Sequence, residues 1–270
     1  MTTWEAIFLG IIQGLTEFLP VSSSGHLVIY QYILGVKQSG ITFEVFVHFG
    51  TLVSIIWVFY ADIKKLILAA LNINYDPLSR RMIFLLIMGC IPTAIMGIVF
   101  EPFFVGLFDS VVTVGFMLLV TGSLLWIINW KIPGAKKIGE MKTLDAIIVG
   151  IFQGMAIIPG VSRSGATIFA ALLKDLDRAT AIRYSFLLAL PAILGATLLE
   201  ARELMAGTGE NISLVPLVLG TVAALFSGIL AIKTFIKLLQ MGRLYYFSYY
   251  CWMVGSLIIL WQLVKKFGYF

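Results

Sequence analysis

Two polar clusters in this apolar chain contain the residue types that can do chemistry. In the first, Gln13 and Glu17 stand four positions apart on one face of a helix, just before a turn. A carboxylate in a membrane costs on the order of 3 kcal/mol, so it is usually functional, although Glu17 could also lie at the outer surface. His26 follows the turn, and a structural, hydrogen-bonded histidine is its alternative interpretation. The turn itself consists of Pro20, Val21, Ser22, Ser23, Ser24 and Gly25.

The second cluster, residues 159–167, carries Arg163, the one basic residue in either turn. We expect helices to begin near His26 and Ala166, so that two helix N-termini with free N–H groups face one space. Such an arrangement binds anions, and an added guanidinium favours phosphate because its planar fork pairs two oxygens. Arg163 could also be a structural partner for Glu17. The candidate binding residues are Gln13, Ser22, Ser24, Gly25, Gly160, Ser162, Ser164 and Thr167.

The elements that must position these clusters are membrane helices. Apolar residues make up 60% of the chain, charged residues 12%, and the mean hydropathy is +1.00, whereas soluble domains carry about 25% charged residues. The sequence therefore predicts an all-α polytopic membrane protein, a single membrane domain over 1–270 with no nucleic-acid partner. Six stretches have the roughly 20 residues that a crossing helix needs, and these are 42–61, 82–100, 111–130, 182–200, 214–235 and 244–264.

The two clusters belong to an internal repeat. Residues 6–25 match residues 146–165 without a gap, and ten of the twenty pairs are identical. In each copy a proline and a Ser/Gly turn interrupt the apolar run too early for a crossing, which predicts a re-entrant helix-loop-helix hairpin. The predicted fold is thus six transmembrane helices plus two re-entrant hairpins in an inverted-topology repeat, with repeat 1 over about 1–130 and repeat 2 over about 141–265.

The inversion follows from the three predicted spans that separate the two copies, because an odd number reverses the side of entry. Basic residues assign the sides: fourteen of the nineteen fall on one side and four on the other. By the positive-inside rule both termini lie outside, the first hairpin enters from outside, and the second enters from the cytoplasm. We expect the loops 21–25 and 160–165 to face each other at mid-depth.

Small residues on the hairpin helices suggest how the hairpins pack. Gly10 and Gly14 form a Gly-x-x-x-Gly pair, and Gly150 and Gly154 form its copy. Such pairs permit close backbone approach, and we expect that approach to occur between the two hairpins. The two cysteines of the chain lie inside predicted spans, where small buried apolar residues are expected, so no Cys/His metal site is predicted.

Residues 13–26 (QGLTEFLPVSSSGH) and 159–167 (PGVSRSGAT) resemble the two motifs of the bacterial undecaprenyl pyrophosphate phosphatase family, also called bacitracin resistance proteins. The resemblance extends over essentially the whole chain, including its length, the repeat and the helical run after each loop. It implies hydrolysis of undecaprenyl pyrophosphate to undecaprenyl phosphate and inorganic phosphate. That reaction recycles the lipid carrier for peptidoglycan synthesis and confers bacitracin resistance.

The resemblance also implies roles for single residues. The positions that the family needs for catalysis are occupied by Glu17, Ser23, His26 and Arg163. Either Ser23 or His26 could be the nucleophile, and we favour Ser23 with His26 moving the proton. A divalent cation, Mg²⁺ or Ca²⁺, is expected, held by Glu17 together with Gln13, or Glu17 acts as base. The family accepts Glu or Gln at the first acidic position, and Gln13 leaves this chain with one carboxylate there.

Partners and location follow from the same resemblance. The expected partners are undecaprenyl pyrophosphate and bilayer lipid, and a homodimer is possible. The expected location is the bacterial cytoplasmic membrane, with a multi-pass chain and an active site that opens to the outer face. A transporter that flips undecaprenyl phosphate is the alternative, because inverted repeats with broken helices are also a transporter architecture.

Overall fold

The computed structural model describes residues 1–34, 41–72, 75–108, 110–132, 134–203 and 213–266. Within these ranges the chain is all-helical, apart from one isolated β-bridge between Lys136 and Leu176. The helices in chain order are α1 Thr3–Phe18, α2 Ser23–Leu34, α3 Ile41–Val58, α4 Tyr60–Leu71, α5 Pro77–Val99, α6 Glu101–Phe108, α7 Val111–Asn129, α8 Thr143–Met155, α9 Arg163–Leu173, α10 Arg178–Glu203, α11 Leu214–Gln240 and α12 Tyr245–Lys266.

Among the residues that the structure describes, five helices are long and apolar enough to cross a membrane, namely α5, α7, α10, α11 and α12. A sixth crossing is obtained if α3 and α4 count as one bent span. The predicted span 42–61 is interrupted, because α3 ends at Val58 and α4 leaves it at 83°. The physical reason is polarity: Asp62, Lys64 and Lys65 come directly after the bend, and charged side chains are costly in hydrocarbon. The polytopic all-α fold is confirmed.

The repeated segments fold as short helix pairs. Helices α1, α2, α8 and α9 have 16, 12, 13 and 11 residues, fewer than the roughly 20 that a crossing needs. Capping residues set where they begin: the Thr2 hydroxyl accepts from the Glu5 N–H, and Glu5 accepts from the Thr2 N–H, a capping box. Both pairs break at the predicted proline and Ser/Gly turns.

Each hairpin's first helix packs on a spanning helix of the other half of the chain. A Cβ added at Gly10 would overlap the Gly220 carbonyl in α11, and one at Gly150 would overlap the Gly89 carbonyl in α5. Thr93 of α5 also donates to the Gly150 carbonyl at 2.9 Å. The expectation that these glycines bring the two hairpins together was therefore wrong. A glycine pair marks a face that admits a close neighbour, but it does not specify which helix that is.

The packing registers give the direction in which each hairpin enters. Contacts of α1 advance along α11 in step, from Gly10 on Gly220 to Gly14 on Ala224, so the two helices run parallel. Along α8 the contacts advance from Gly150 to Gly154, while those on α5 also advance toward its C-terminus. Helix α8 therefore runs in the same direction as α5, and α1 runs in the same direction as α11. Two crossings, α7 and α10, separate α5 from α11 along the chain. The end of the molecule at which α5 and α11 each begin therefore decides from which end each hairpin enters.

The basic loops lie together at one end of the molecule. Arg81, at the start of α5, donates to the Met141 carbonyl at 2.7 Å, and the bridge between Lys136 and Leu176 joins the two next basic loops. Arg178, at the start of α10, donates to the last carbonyl of α11 at 3.1 Å. Helix α5 therefore begins at the basic end and α11 ends there, so α8 enters from the basic end and α1 enters from the opposite end. The inverted entry is confirmed.

Candidate active site

Serine caps place Ser23 and Arg163 at corresponding positions, as the first residues of α2 and α9. The Ser22 hydroxyl accepts from the Gly25 N–H at 3.3 Å, and the Ser162 hydroxyl accepts from its own Gly165 N–H at 3.1 Å. Both helices thus begin three residues earlier than the expected starts near His26 and Ala166. The reason is local, since a serine hydroxyl bonded to the third following N–H is a helix cap.

Ser22 also joins the two loops to each other. Its hydroxyl accepts from the Gly160 N–H at 3.1 Å, and its backbone is left-handed, with φ of 69°. Gly25 lies against Gly160, where an added Cβ would come within 3.2 Å of the Gly160 Cα. Gly160 itself has φ of 95° and lies against the Val114 carbonyl, so a side chain there would be both strained and obstructed. The prediction that the two loops face each other is confirmed.

Glu17 is the centre of a buried polar cluster. Its Oε1 accepts from the Arg163 Nη2 at 2.6 Å, and its Oε2 accepts from the Ser23 hydroxyl at 2.5 Å and from the Gln13 Nε2 at 3.0 Å. The Glu17 side chain is 6% exposed and that of Arg163 is 17% exposed. His48 of α3 adds an electrostatic interaction with Glu17. Three residues of the cluster belong to the first hairpin and one belongs to the second. Both copies of the repeat therefore contribute to a single site.

Two atoms of this cluster are buried and lack a hydrogen-bond partner among the described residues. One is a donor, the Arg163 Nη1, and the other is an acceptor, the Gln13 Oε1. A buried polar group left unpaired costs about 1–3 kcal/mol, more when it is charged, so native proteins seldom retain one without a reason. A ligand with an anionic oxygen and a donor or cation would pair both atoms. The cluster therefore offers one unpaired donor and one unpaired acceptor that such a ligand would bind.

His26 is held away from this cluster. Its Nδ1 lies 2.8 Å from the Ser22 carbonyl, and its Nε2 lies 2.7 Å from the Tyr250 hydroxyl of α12. The His26 and Tyr250 rings are stacked, with centroids 5.6 Å apart and an interplanar angle of 11°. None of the hydrogen bonds among the described residues joins His26 to Ser23. Tyr250 was not identified from the sequence, because it lies 224 residues away in a tyrosine-rich stretch that resembles an interfacial anchor.

Several residues predicted to bind substrate also bind one another and shape the loops, and their contact with substrate stays a prediction. Ser22 and Ser24 hydroxyls lie 3.3 Å apart, and Ser162 and Ser164 hydroxyls lie 3.2 Å apart. The Thr167 hydroxyl donates to the Arg163 carbonyl at 2.9 Å.

Two further residues that the sequence did not single out complete this framework. The Thr121 hydroxyl of α7 donates to the Gly160 carbonyl at 2.9 Å and accepts from the Ser162 N–H at 3.0 Å. Ser185 of α10 lies 2.5 Å from the Thr167 hydroxyl. Spanning helices therefore hold the second loop on two sides.

The polar atoms of the cluster are better placed to bind a cation together with a phosphate ligand than to bind a cation with protein ligands alone. In the described part of the chain no group of three or more His, Cys, Asp or Glu side chains is placed to hold a metal ion. The Gln13 Oε1, buried and unpaired, and the Glu17 carboxylate are oxygen donors of the kind that Mg²⁺ and Ca²⁺ prefer. Mg²⁺ is commonly bound by one or two carboxylates together with substrate phosphates and waters, so these residues fit that group.

The fold and site define a polytopic all-α membrane protein in which two re-entrant hairpins meet at a buried Glu–Ser–Arg cluster. The chain belongs to the family of the bacitracin resistance protein BacA, whose family model matches residues 6–257.

Individual relatives are similar over nearly the full length. An undecaprenyl-diphosphatase of Halothermothrix orenii is 48% identical over 96% of this chain and 98% of the relative. An undecaprenyl-diphosphatase of Alkaliphilus metalliredigens is 44% identical over 98% of this chain and all of the relative. Undecaprenyl-diphosphatase 3 of Bacillus cereus is 40% identical over 99% of this chain and all of the relative.

Proposed function

We propose that this protein hydrolyses undecaprenyl diphosphate to undecaprenyl phosphate and inorganic phosphate. The observation that carries the proposal is the unpaired, buried Arg163 Nη1, whose side chain shares Glu17 with a serine hydroxyl that already donates to that carboxylate. An anionic phosphoryl group is the ligand that would pair this guanidinium next to a nucleophile. The relatives that cover nearly the whole chain carry the name of this activity. The product, undecaprenyl phosphate, would return to peptidoglycan synthesis. Removal of the substrate, undecaprenyl diphosphate, would confer bacitracin resistance.

In the proposed reaction Ser23 is the nucleophile. Its Oγ attacks the terminal phosphorus, the bond to the bridging oxygen breaks, and undecaprenyl phosphate leaves. The Ser23 proton passes to the Glu17 Oε2, which already accepts its hydrogen bond at 2.5 Å. Water then attacks the phosphorus of the phosphoserine and the bond from phosphorus to the Ser23 Oγ breaks. The proton on Glu17 returns to the Ser23 Oγ, and inorganic phosphate leaves with the oxygen and protons of the water. His26 as nucleophile would first have to release Tyr250 from its Nε2, so we favour Ser23.

Arg163 would act on the charge that develops at phosphorus. Its Nη2 stays on Glu17 while its Nη1 is free to pair with an equatorial oxygen. The N-terminal ends of α2 and α9 add positive partial charge at the same place. Phosphoryl transfer depends on positioning and on neutralising the phosphoryl oxygens, and this site provides fixed groups for both.

We propose that a divalent cation, Mg²⁺ or Ca²⁺, accompanies the substrate, with the Gln13 Oε1 and Glu17 as its protein ligands. When bound it would neutralise diphosphate charge and favour departure of the lipid phosphate. The support is the unpaired acceptor on Gln13.

We propose that the protein resides in the bacterial cytoplasmic membrane with the site open to the outer face. The support is the collection of basic loops at one end, with α1 entering from the other end. Bilayer lipid would cover the many exposed apolar side chains, and a homodimer stays a prediction. Cysteines introduced at Thr2 and Ser213 should react with an impermeant label on intact cells, while one at Lys137 should not. Labelling of position 137 alone would reverse the orientation.

Phosphate release tests the activity. Purified protein in detergent with undecaprenyl diphosphate and Mg²⁺ should release one phosphate per lipid, and Glu17→Gln should reduce turnover by 10²-fold or more, because a general base is lost. A protein that releases no phosphate but moves undecaprenyl phosphate across vesicle membranes would be a transporter, and the proposal would be wrong.

A further inference from the structure

His26 leaves a question that the proposed reaction does not answer, because both nitrogens of its ring are occupied. A carbonyl oxygen can only accept, so the Nδ1 that lies 2.8 Å from the Ser22 carbonyl must carry the hydrogen. The contacts described for this ring are with neutral groups, among them the backbone of Ser22 and Val21 and the rings of Tyr30 and Tyr250. A neutral ring protonated on Nδ1 has a bare Nε2, and the Tyr250 hydroxyl, 2.7 Å away, then donates to it.

Ser22 lies at the other end of this chain of hydrogen bonds, and its backbone conformation is unfavourable. Ser22 is left-handed, with φ of 69°, which a residue with a side chain adopts only when its surroundings impose it. Its carbonyl receives both the His26 side chain and the His26 backbone N–H, the latter at 3.2 Å. Its hydroxyl receives the Gly160 N–H from the second hairpin. Ser22 therefore fixes the residue that follows it, Ser23, against Glu17.

Helix α12 also holds this loop at a second point. The Cys251 thiol, next to Tyr250 in sequence, is fully buried and donates to the Pro20 carbonyl at 3.6 Å, within the reach of a sulfur donor. Pro20 in turn lies against Gly165 of the second loop. One turn of α12 thus contacts the first hairpin on both sides of Ser22, at Pro20 before it and at His26 of α2 after it.

We propose that Tyr250 is a positioning residue, which acts through His26 to hold the Ser22 turn and so align the Ser23 hydroxyl with Glu17. In this arrangement His26 does not exchange a proton with Ser23. The inference rests on the proposed function for its kinetic consequences, but the hydrogen-bond chain can be measured without any turnover.

Histidine ¹⁵N nuclear magnetic resonance tests the chain directly. The protein has two histidines, so His26→Asn identifies the His26 signals by their loss. In the wild-type protein we expect a protonated Nδ1 and an unprotonated, hydrogen-bonded Nε2. Tyr250→Phe keeps the stacked ring and removes the donor, so the Nε2 signal should move to the position of a free nitrogen. The matched control is Tyr30→Phe, which removes the hydroxyl of the other neighbouring ring and should leave Nε2 unchanged. A doubly protonated ring, or an Nε2 that ignores Tyr250→Phe, would overturn the proposal.

Kinetics test the consequence for the reaction. Tyr250→Phe should lower kcat about 10-fold, with KM within about twofold, because an unpaired acceptor loosens the loop while Arg163 still binds phosphate. His26→Asn keeps a donor for the Ser22 carbonyl and should retain at least about 10-fold more activity than His26→Ala. In the His26→Ala background Tyr250→Phe should have no further effect.

These outcomes separate the two proposals. Equal loss in His26→Asn and His26→Ala, or additive loss in the double variant, would assign His26 to proton transfer and refute a positioning role. Absence of phosphate release by wild-type protein would refute the proposed function and leave the ¹⁵N result standing.

Discussion

Replacing Arg163 by lysine keeps the positive charge and removes the planar fork, so it separates the two tasks that the structure gives to this side chain. The Nη2 lies 2.6 Å from the Glu17 Oε1, and the Nη1 is the buried donor without a partner. A lysine has one nitrogen at the end of its chain and cannot hold Glu17 and a phosphoryl oxygen in this geometry.

Both arrangements open to the lysine lose transition-state stabilisation. If its ammonium stays on Glu17, the phosphoryl group loses a fixed donor, which typically lowers kcat by about 10²–10³-fold. If it turns to the phosphate, the buried Glu17 carboxylate loses its partner, and breaking a buried pair costs about 3–5 kcal/mol. We therefore expect Arg163→Lys to lower kcat by about 10²-fold or more.

Phosphate release from undecaprenyl diphosphate by purified, detergent-solubilised protein measures this effect, with the melting transition recorded for each variant. Arg178→Lys is the control, because Arg178 is half-buried at the basic end and donates to a backbone carbonyl through its own Nη1 at 3.1 Å. It should retain the wild-type rate. A folded Arg163→Lys protein within threefold of the wild-type kcat would show that Arg163 only joins the hairpins, and the reasoning would fail.

Two further predictions concern stability. Gly150→Ala should destabilise the protein by about 1–3 kcal/mol, because the added Cβ would overlap the Gly89 carbonyl. Gly195 has open space around it, so the control Gly195→Ala should be neutral or stabilising. Thermal unfolding of both variants in the same detergent measures the difference. Hydrogen bonds, first from the Ser79 hydroxyl, lower the pKa of Asp76 from its usual value. The stabilisation from this cap is fully present above the pKa of an unfolded aspartate and is lost as the pH falls through the lowered pKa. Asp76→Asn should flatten the acid limb of a stability profile, and an unchanged limb would contradict the assignment.

Much of the architecture could be predicted because it depends on local patterns and on charge. The internal repeat and the basic loops predicted two inverted hairpins, and the lone Arg163 with Glu17 predicted a cluster at their meeting point. Chain breaks at proline and Ser/Gly turns are local as well, so both hairpins were found.

What could not be predicted depends on packing between distant segments. The glycines of α1 and α8 predict a closely packed neighbouring helix. The identity of that helix, α11 for α1 and α5 for α8, depends on the whole fold. The left-handed backbone of Ser22 has no counterpart in the second copy, where Ser162 caps α9 with φ of −76°, and no sequence pattern reveals it. Tyr250 reaches His26 from the last helix, and only the folded chain brings them together.

The central claim is that Ser23, activated by Glu17, accepts the phosphoryl group. Substrate labelled with ³²P on its terminal phosphoryl, mixed with enzyme and quenched in acid within the first turnover, tests it most directly. We expect label bound to Ser23 that survives acid, is released by alkali, and is absent from Ser23→Ala, while His26→Asn still acquires it. Label that is lost in acid and persists in alkali would indicate phosphohistidine, and label that persists in Ser23→Ala would contradict the account.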